Sequence, residues 1–246
     1  MFSFLRKPQP AAPAPEIRFL CEPRDEAVIA KPFPAKRHIP DWFRKLPAVD
    51  ENVAGLNDTG LTVKRCMPFL DAMNTGWIIP LAAELRLEIS NSGTEVVGGW
   101  DFDRTLMSNH GENQVAGNPW KAIGGPRPPR KFHNYWSIVT PPGYSCLFIN
   151  PLNRPNGVFE IVAGIVDTDT YPAHINFPFF ATAEDGLYVL EKGTPLAQVI
   201  PFRRDDADMA AFIGAETKPE AATREAAHRN TKAASGWYRT EARAKR

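Results

Sequence analysis

The sequence of 246 residues is 43% hydrophobic and 23% charged, enough to bury one sizeable core. A formal net charge of +1 gives no reason to expect nucleic acid or an anionic membrane as partner, and no stretch reaches the ~18 uninterrupted apolar residues of a membrane span. Three widely spaced cysteines, Cys21, Cys66 and Cys146, argue against a paired disulfide framework and point to a reducing, cytoplasmic setting.

The opening "MFSFLRKPQPAAPAP" has too short an apolar run and too many prolines for a signal peptide, so residues 1–15 read as an extended Pro/Ala-rich arm. "EIRFLC" (16–21) alternates Ile17, Phe19 and Cys21 on one face and predicts a first strand. "IPDWFRKLP" (39–47) predicts a short helix, with Pro40 at its start, Pro47 at its close and Trp42, Phe43 and Leu46 packing. "CMPFLDAMNTG" (66–76) predicts another. There Pro68 suits the first turn, Phe69, Leu70 and Met73 face inward, and Asn74-Thr75-Gly76 supplies the stop. Period two takes over in "WIIPLAAELRLEIS" (77–90), where Pro80 marks an edge or a bulge. "NSG" (91–93) then turns the chain into "TEVVGGWDF" (94–102).

Residues 103–130 lack periodicity, and a loop this long within one domain is either functional or hides elements that the pattern does not show. From 131 to 204, strands are predicted near 132–139, 144–149, 158–166, 174–182, 187–191 and 195–202. Gly/Pro turns at this spacing indicate a mainly β barrel or sandwich. "DDADMAAFIG" (205–214) predicts a closing helix, capped by Asp205 or Asp206 and ended by Gly214. Residues 216–246 hold eight Lys/Arg against four Glu, a surplus of four that leaves residues 1–215 near −3. The expected organisation is therefore one β-rich domain over 16–214 followed by a basic arm over 215–246. Trp237 and Tyr238 are that arm's apolar anchor. They suit docking on a neighbouring subunit better than stacking on single-stranded nucleic acid.

Candidate chemistry concentrates in "GIVDTDTY" (164–171). Asp167 and Asp169 are two apart on an extended segment and point the same way. Two readings stand side by side: close carboxylates that share a water or a metal, or turn residues that cap backbone amides. His174 follows across the turn, so Asp167, Asp169 and His174 could ligate iron or zinc, although no close HxH or HxxxH spacing is present. His133, among Phe132, Tyr135 and Trp136, reads as a packed, hydrogen-bonded histidine. Cys146, inside an apolar strand, reads as an inert thiol. Arg127, Arg130 and Lys131 in "GGPRPPRKF" form a basic patch. It is either an anion gate, with Arg130 pairing a ligand, or a solvated surface.

"TPPGYSCLF" (140–148), "GIVDTDTY" and "GTPLAQVIPFRR" (193–204) together resemble the core of the trimeric dUTPase and dCTP deaminase superfamily. The match covers residues 140–204. Most of the chain also resembles an uncharacterised family of bacteria and their phages, domain of unknown function 6065. The residues that carry it are "IPDWFRKLP", "VKRCMPFLDAMNTGW", "TPPGYS", "GIVDTD" and "GTPLAQVIPFRR". The first resemblance implies a β-clip fold assembled as a trimer, with Mg²⁺ at a nucleotide site. It gives Asp167 the part of orienting an attacking water, Tyr171 a place beneath a sugar, Arg154 a phosphate and Gln198 the late A-Q position. Three departures accompany it. Tyr171 comes one residue late, no serine adjoins Arg154, and no glycine-rich tail follows.

The leading expectation is a β-clip protein that binds, hydrolyses or deaminates a nucleotide-like small molecule through Asp167 and Asp169. The alternative is a non-catalytic oligomeric binding or assembly protein, phage-related by resemblance, using its two arms. A second alternative is the iron or zinc enzyme.

Overall fold

Leu85, Leu87 and Ile89 are buried while Arg86 and Glu88 between them are exposed, the alternation of a strand with one face on a core. This pattern recurs along the protein, whose computed structural model describes residues 14–53, 60–115, 121–122, 125–233 and 236–245. Most of the expected N-terminal arm, residues 1–13, lies outside the described residues.

The early strands are β1 (Arg18–Leu20), β2 (Phe33–Pro34), β3 (Trp77–Pro80), β4 (Leu85–Ser90) and β5 (Glu95–Gly99). Next come β6 (Met107–Asn109), β7 (Lys121–Ala122), β8 (Gly125–Pro126), β9 (Arg130–Phe132), β10 (Ser137–Val139) and β11 (Tyr144–Ile149). The last are β12 (Phe159–Ile161), β13 (Gly164–Val166), β14 (Phe177–Ala181), β15 (Gly186–Leu190) and β16 (Pro195–Arg203). Helices are few: α1 (Asp41–Lys45), α2 (Met67–Asn74), α3 (Arg204–Ala207) and α4 (Lys218–Ala233). No helix among the described residues is long and apolar enough to cross a membrane.

Pairing is antiparallel throughout these ladders. A five-stranded sheet runs β13-β11-β16-β3-β2, a four-stranded sheet β12-β14-β9-β6 and a three-stranded sheet β15-β4-β5, with β1-β10 and β7-β8 as pairs. The protein is mainly β, built of several antiparallel sheets, and the sheets do not close into a barrel among the described residues. Pro80 behaves as its chemistry requires: β3 ends there, and the β3–β16 register slips between Pro195 and Ala197. Asn91, Ser92 and Gly93 take positive φ at the β4–β5 hairpin, and the Asp185 carboxylate accepts from the amides of Ser92 and Gly93 at 2.8 and 2.9 Å.

The core joins faces of the sheets. Phe132 and Phe179 stack at 3.9 Å with Phe159 edge-on, and Ile79, Leu85, Leu87, Leu106, Ile138 and Val199 are fully buried. Under one side, Arg104 grips buried Asp25 through both terminal nitrogens at 2.6 and 2.5 Å and lies over the Tyr135 ring at 4.2 Å.

Three expected elements are corrected. The strand over 132–139 is broken because Asn134 both accepts from the Trp136 amide and donates to its carbonyl, closing a local turn. The strand over 158–166 divides after Val162: its amide still donates to Pro178 O of β14 at 2.7 Å, whereas Gly164–Val166 pairs with β11 in another sheet. The helix over 205–214 stops at Ala207. Met209, Phe212 and Ile213 beyond it are 77, 90 and 94% exposed, so no packed face holds a longer helix there. Instead a 16-residue helix, α4, forms in the charged arm. Its signal is local: Thr217 and Glu220 make a capping box around Pro219, with the Thr217 amide and hydroxyl both 2.6 Å from Glu220 Oε2.

Candidate functional site

Register decides what surrounds the aspartates. Cys146 pairs with Val166, so the next position sets Ser145 opposite Asp167, and Ser145 Oγ donates to Asp167 Oδ1 at 2.6 Å. The chain then turns at once: the amides of Thr170 and Tyr171 donate back to Asp167 O at 3.1 and 2.9 Å. Thr168 points inward, with its hydroxyl 2.7 Å from Thr140 Oγ1 and donating to Cys146 Sγ at 3.3 Å.

Asp169 is consumed by a cation. Arg204 donates from Nη1 and Nη2 to its two oxygens at 2.9 and 2.7 Å, and the Gly143 amide donates at 2.8 Å. The guanidinium also reaches Tyr144 O at 3.0 Å and Ser145 Oγ at 3.1 Å, and lies 3.6 Å from Asp167. The turn at 167–171, not an extended run, brings both carboxylates around one arginine, which supplies the positive charge that a shared metal would have supplied. The Asp169 side chain is 6% exposed and that of Asp167 60%, so the pair is chemically unequal. Bonds from Arg204, then from the Gly143 amide, hold the Asp169 carboxyl down at about 2 against an ordinary 3.8.

The depressed value sets an acid response. Stability from ionised Asp169 is present in full above pH 3.8 and drains away as pH falls toward about 2. In urea titrations from pH 6 to pH 2, wild type should exceed Arg204→Gln at the upper end, and the two should converge between pH 4 and pH 2. A gap of unchanged size at pH 2 would refute the pairing.

Arg154 and Gln198 lie together at the other end of the same ladder, where Ile149 faces Gln198. From Tyr144 to Ile149 is about 17 Å at ~3.4 Å per residue, so these residues share no pocket with the aspartates. Both serve α2. Fully buried Gln198 donates to Ala72 O and Thr75 O at 2.9 and 2.6 Å and accepts from the Leu152 amide at 2.8 Å. Arg154 Nη2 donates to Met73 O and Ala35 O at 2.7 and 2.8 Å, and Asn153 donates to Phe69 O. Carbonyls at a helix C-terminus lack partners within the helix, and a cation there also meets the negative end of the helix dipole. The Nε and Nη1 atoms of Arg154 are buried without a partner among the described residues, and burial lowers its pKa. Burial, then the Arg154 charge, also pushes His38 down.

The remaining expected ligands are dispersed. Tyr171 is 48% exposed beyond the turn. Arg130 donates to Val96 O and Pro129 O, and Arg127 to Ala181 O, so both guanidinium groups of the basic patch are tied to backbone carbonyls. His174 is exposed against the Tyr135 ring. No three His, Cys, Asp or Glu side chains come together to hold a metal among the described residues, and Asp169 is already committed to Arg204. His133 is bonded to Ser108 at 2.8 Å, and burial raises the Cys146 thiol. Among the described residues, surface cavities of 420–580 Å³ open beside Asn150–Gly157, Trp77, Trp237, Trp136 and His38, and none of these is lined by Asp167, Asp169 or Arg204.

The sequence offers Arg204 as an arginine suited to pairing with a phosphate or a carboxylate but does not name Asp169 as its partner, and it assigns Ser145 no part. Both stand in quoted motifs, but only the β11–β16 and β11–β13 registers bring them to the aspartates.

No family model matches the chain, and no curated protein matches it at a significant level. Among solved structures, the chain is similar to a mutant dUTPase from phage phi11 of S. aureus, at 12% identity and a TM-score of 0.32. That match covers 59% of this chain and 84% of the phage enzyme.

Proposed function

We propose that the protein is a non-catalytic assembly protein: a β-sheet body that carries a C-terminal gripping arm and joins copies of itself. One observation carries this reading. Met209, Phe212 and Ile213, at 77, 90 and 94% exposure, stand on an arm beyond the body, where burial of each would contribute roughly 1.5–3 kcal/mol. Lone exposed apolar side chains are ordinary, but three within five residues, two of them almost fully bare, form a contact awaiting a partner. The polar groups expected to do chemistry are meanwhile occupied: Asp169 by Arg204, and Gln198 by α2.

The rival reading, hydrolysis or deamination of a nucleotide-like ligand with Mg²⁺, keeps one favourable feature. Asp167 is open to solvent and steadied by Ser145.

Light scattering on the full chain against a Met209→Ser/Phe212→Ser/Ile213→Ser variant separates the two. Wild type should exceed its 27.4 kDa monomer mass, and the variant should lose association by about 100-fold or more. Equal, monomeric masses across the concentration range would end the assembly reading. Turnover of deoxynucleoside triphosphates that disappears in Asp167→Asn would put the catalytic reading in its place.

A further inference from the structure

The arm ends in a clamp. Arg243 donates from Nε and Nη2 to the two carboxylate oxygens of Asp71 at 2.9 and 2.5 Å, across 172 positions of sequence. Asp71 is set into α2 with its side chain 8% exposed, while Arg243 is 28% exposed. A two-point fork of guanidinium on carboxylate fixes direction as well as charge. The acid belongs to the body, and the cation is the detachable half.

What joins the two halves is unpacked. Between Asp206 and Lys232, side-chain bonds of the described residues stay within the arm: Thr217 with Glu220, Arg224 with Glu216, Arg229 with Glu225. Helix α4 spans about 24 Å at 1.5 Å per residue. The seat is also loose, with a cavity of about 470 Å³ between Lys64, Arg65 and Met67 on the body and Trp237, Arg239 and Thr240 on the tail.

We infer that the clamp is exchanged between copies: the tail of one chain seats its Arg243 on Asp71 of a second copy and receives the reciprocal contact. This rests on the assembly reading and names the second copy as the partner at Asp71. The clamp contacts are the same within a chain or between chains, so the clamp alone does not choose. The spacer chooses. Within a lone chain Met209, Phe212 and Ile213 remain in water, and an arm that crossed to a second body would gain by burying them there. Two clamps related by a twofold axis close the assembly at a dimer.

Charge reversal in full-length protein tests the exchange. Arg243→Glu and Asp71→Lys are each followed alone by sedimentation velocity, then mixed in equal amounts. Each alone should associate about tenfold more weakly or worse, and the mixture should recover a one-to-one heterodimer, because both reversed charges then meet a match across the chains. Wild-type association in each single variant overturns the exchange, as does a mixture that never forms the heterodimer. The assembly reading would survive either result if the Met209/Phe212/Ile213 variant still dissociates. Should Asp71→Lys fail to fold, the tail position decides alone: weakened association in Arg243→Glu supports exchange, and an unchanged mass overturns it.

Discussion

Phe179→Ala should cost about 3–5 kcal/mol of folding stability, the range for removing a fully buried phenylalanine from a packed core. Phe179 is 0% exposed on β14, an interior strand of the four-stranded sheet. Its ring stacks on Phe132 at 3.9 Å with the planes 10° apart, and Phe159 meets it edge-on at 5.9 Å. Phe177 is the residue directly opposite Phe132, so the stack runs diagonally and ties adjacent rungs of β9 and β14. Truncation forfeits the transfer energy and leaves a void that the rigid ladder cannot close. A fall in melting temperature of roughly 6–20 °C is expected at ~2–4 °C per kcal/mol, with Phe179→Leu milder. Calorimetry or guanidinium titration would measure it, and a loss below 1 kcal/mol would mean that these rings are not a shared core.

Arg154→Ala should cost about 2–4 kcal/mol, and Arg154→Met distinctly less. Two effects oppose each other here. Among the described residues the guanidinium has no carboxylate partner, and it buries Nε and Nη1 without bonds, which is costly. It also donates to Met73 O and Ala35 O, and bonds from a charged group are worth ~1.5–3 kcal/mol each. Alanine removes both bonds and the packing of the stem. Methionine keeps the volume and discards the unpaired charge, as apolar replacements of buried ions often do without loss. Urea denaturation of both variants checks the ordering. Alanine equal to wild type would show that the α2 carbonyls do not depend on Arg154.

Local elements were legible where a strand or helix announces itself in its own residues. Leu85, Leu87 and Ile89 alternate with charge, Pro68 opens α2, and "NSG" forms its hairpin, because each signal spans a few neighbouring positions. α4 is equally written, in Thr217, Pro219 and Glu220, but a charged, Ala-rich helix carries no stripe of large apolar residues to mark its period. The candidate site was harder. Its residues stand out in the sequence as polar groups in unusual places, but polarity does not name a partner.

The amino-acid order by itself determined the strand-rich composition and most turns. Steric and rotational preferences within a few bonds settle such features. Tertiary structure alone decided that an arginine 35 positions on neutralises Asp169, that Arg154 and Gln198 finish a helix, and that Arg243 returns 172 positions to Asp71. Those pairings depend on strand register and chain return, which long-range packing fixes and no short window of residues encodes.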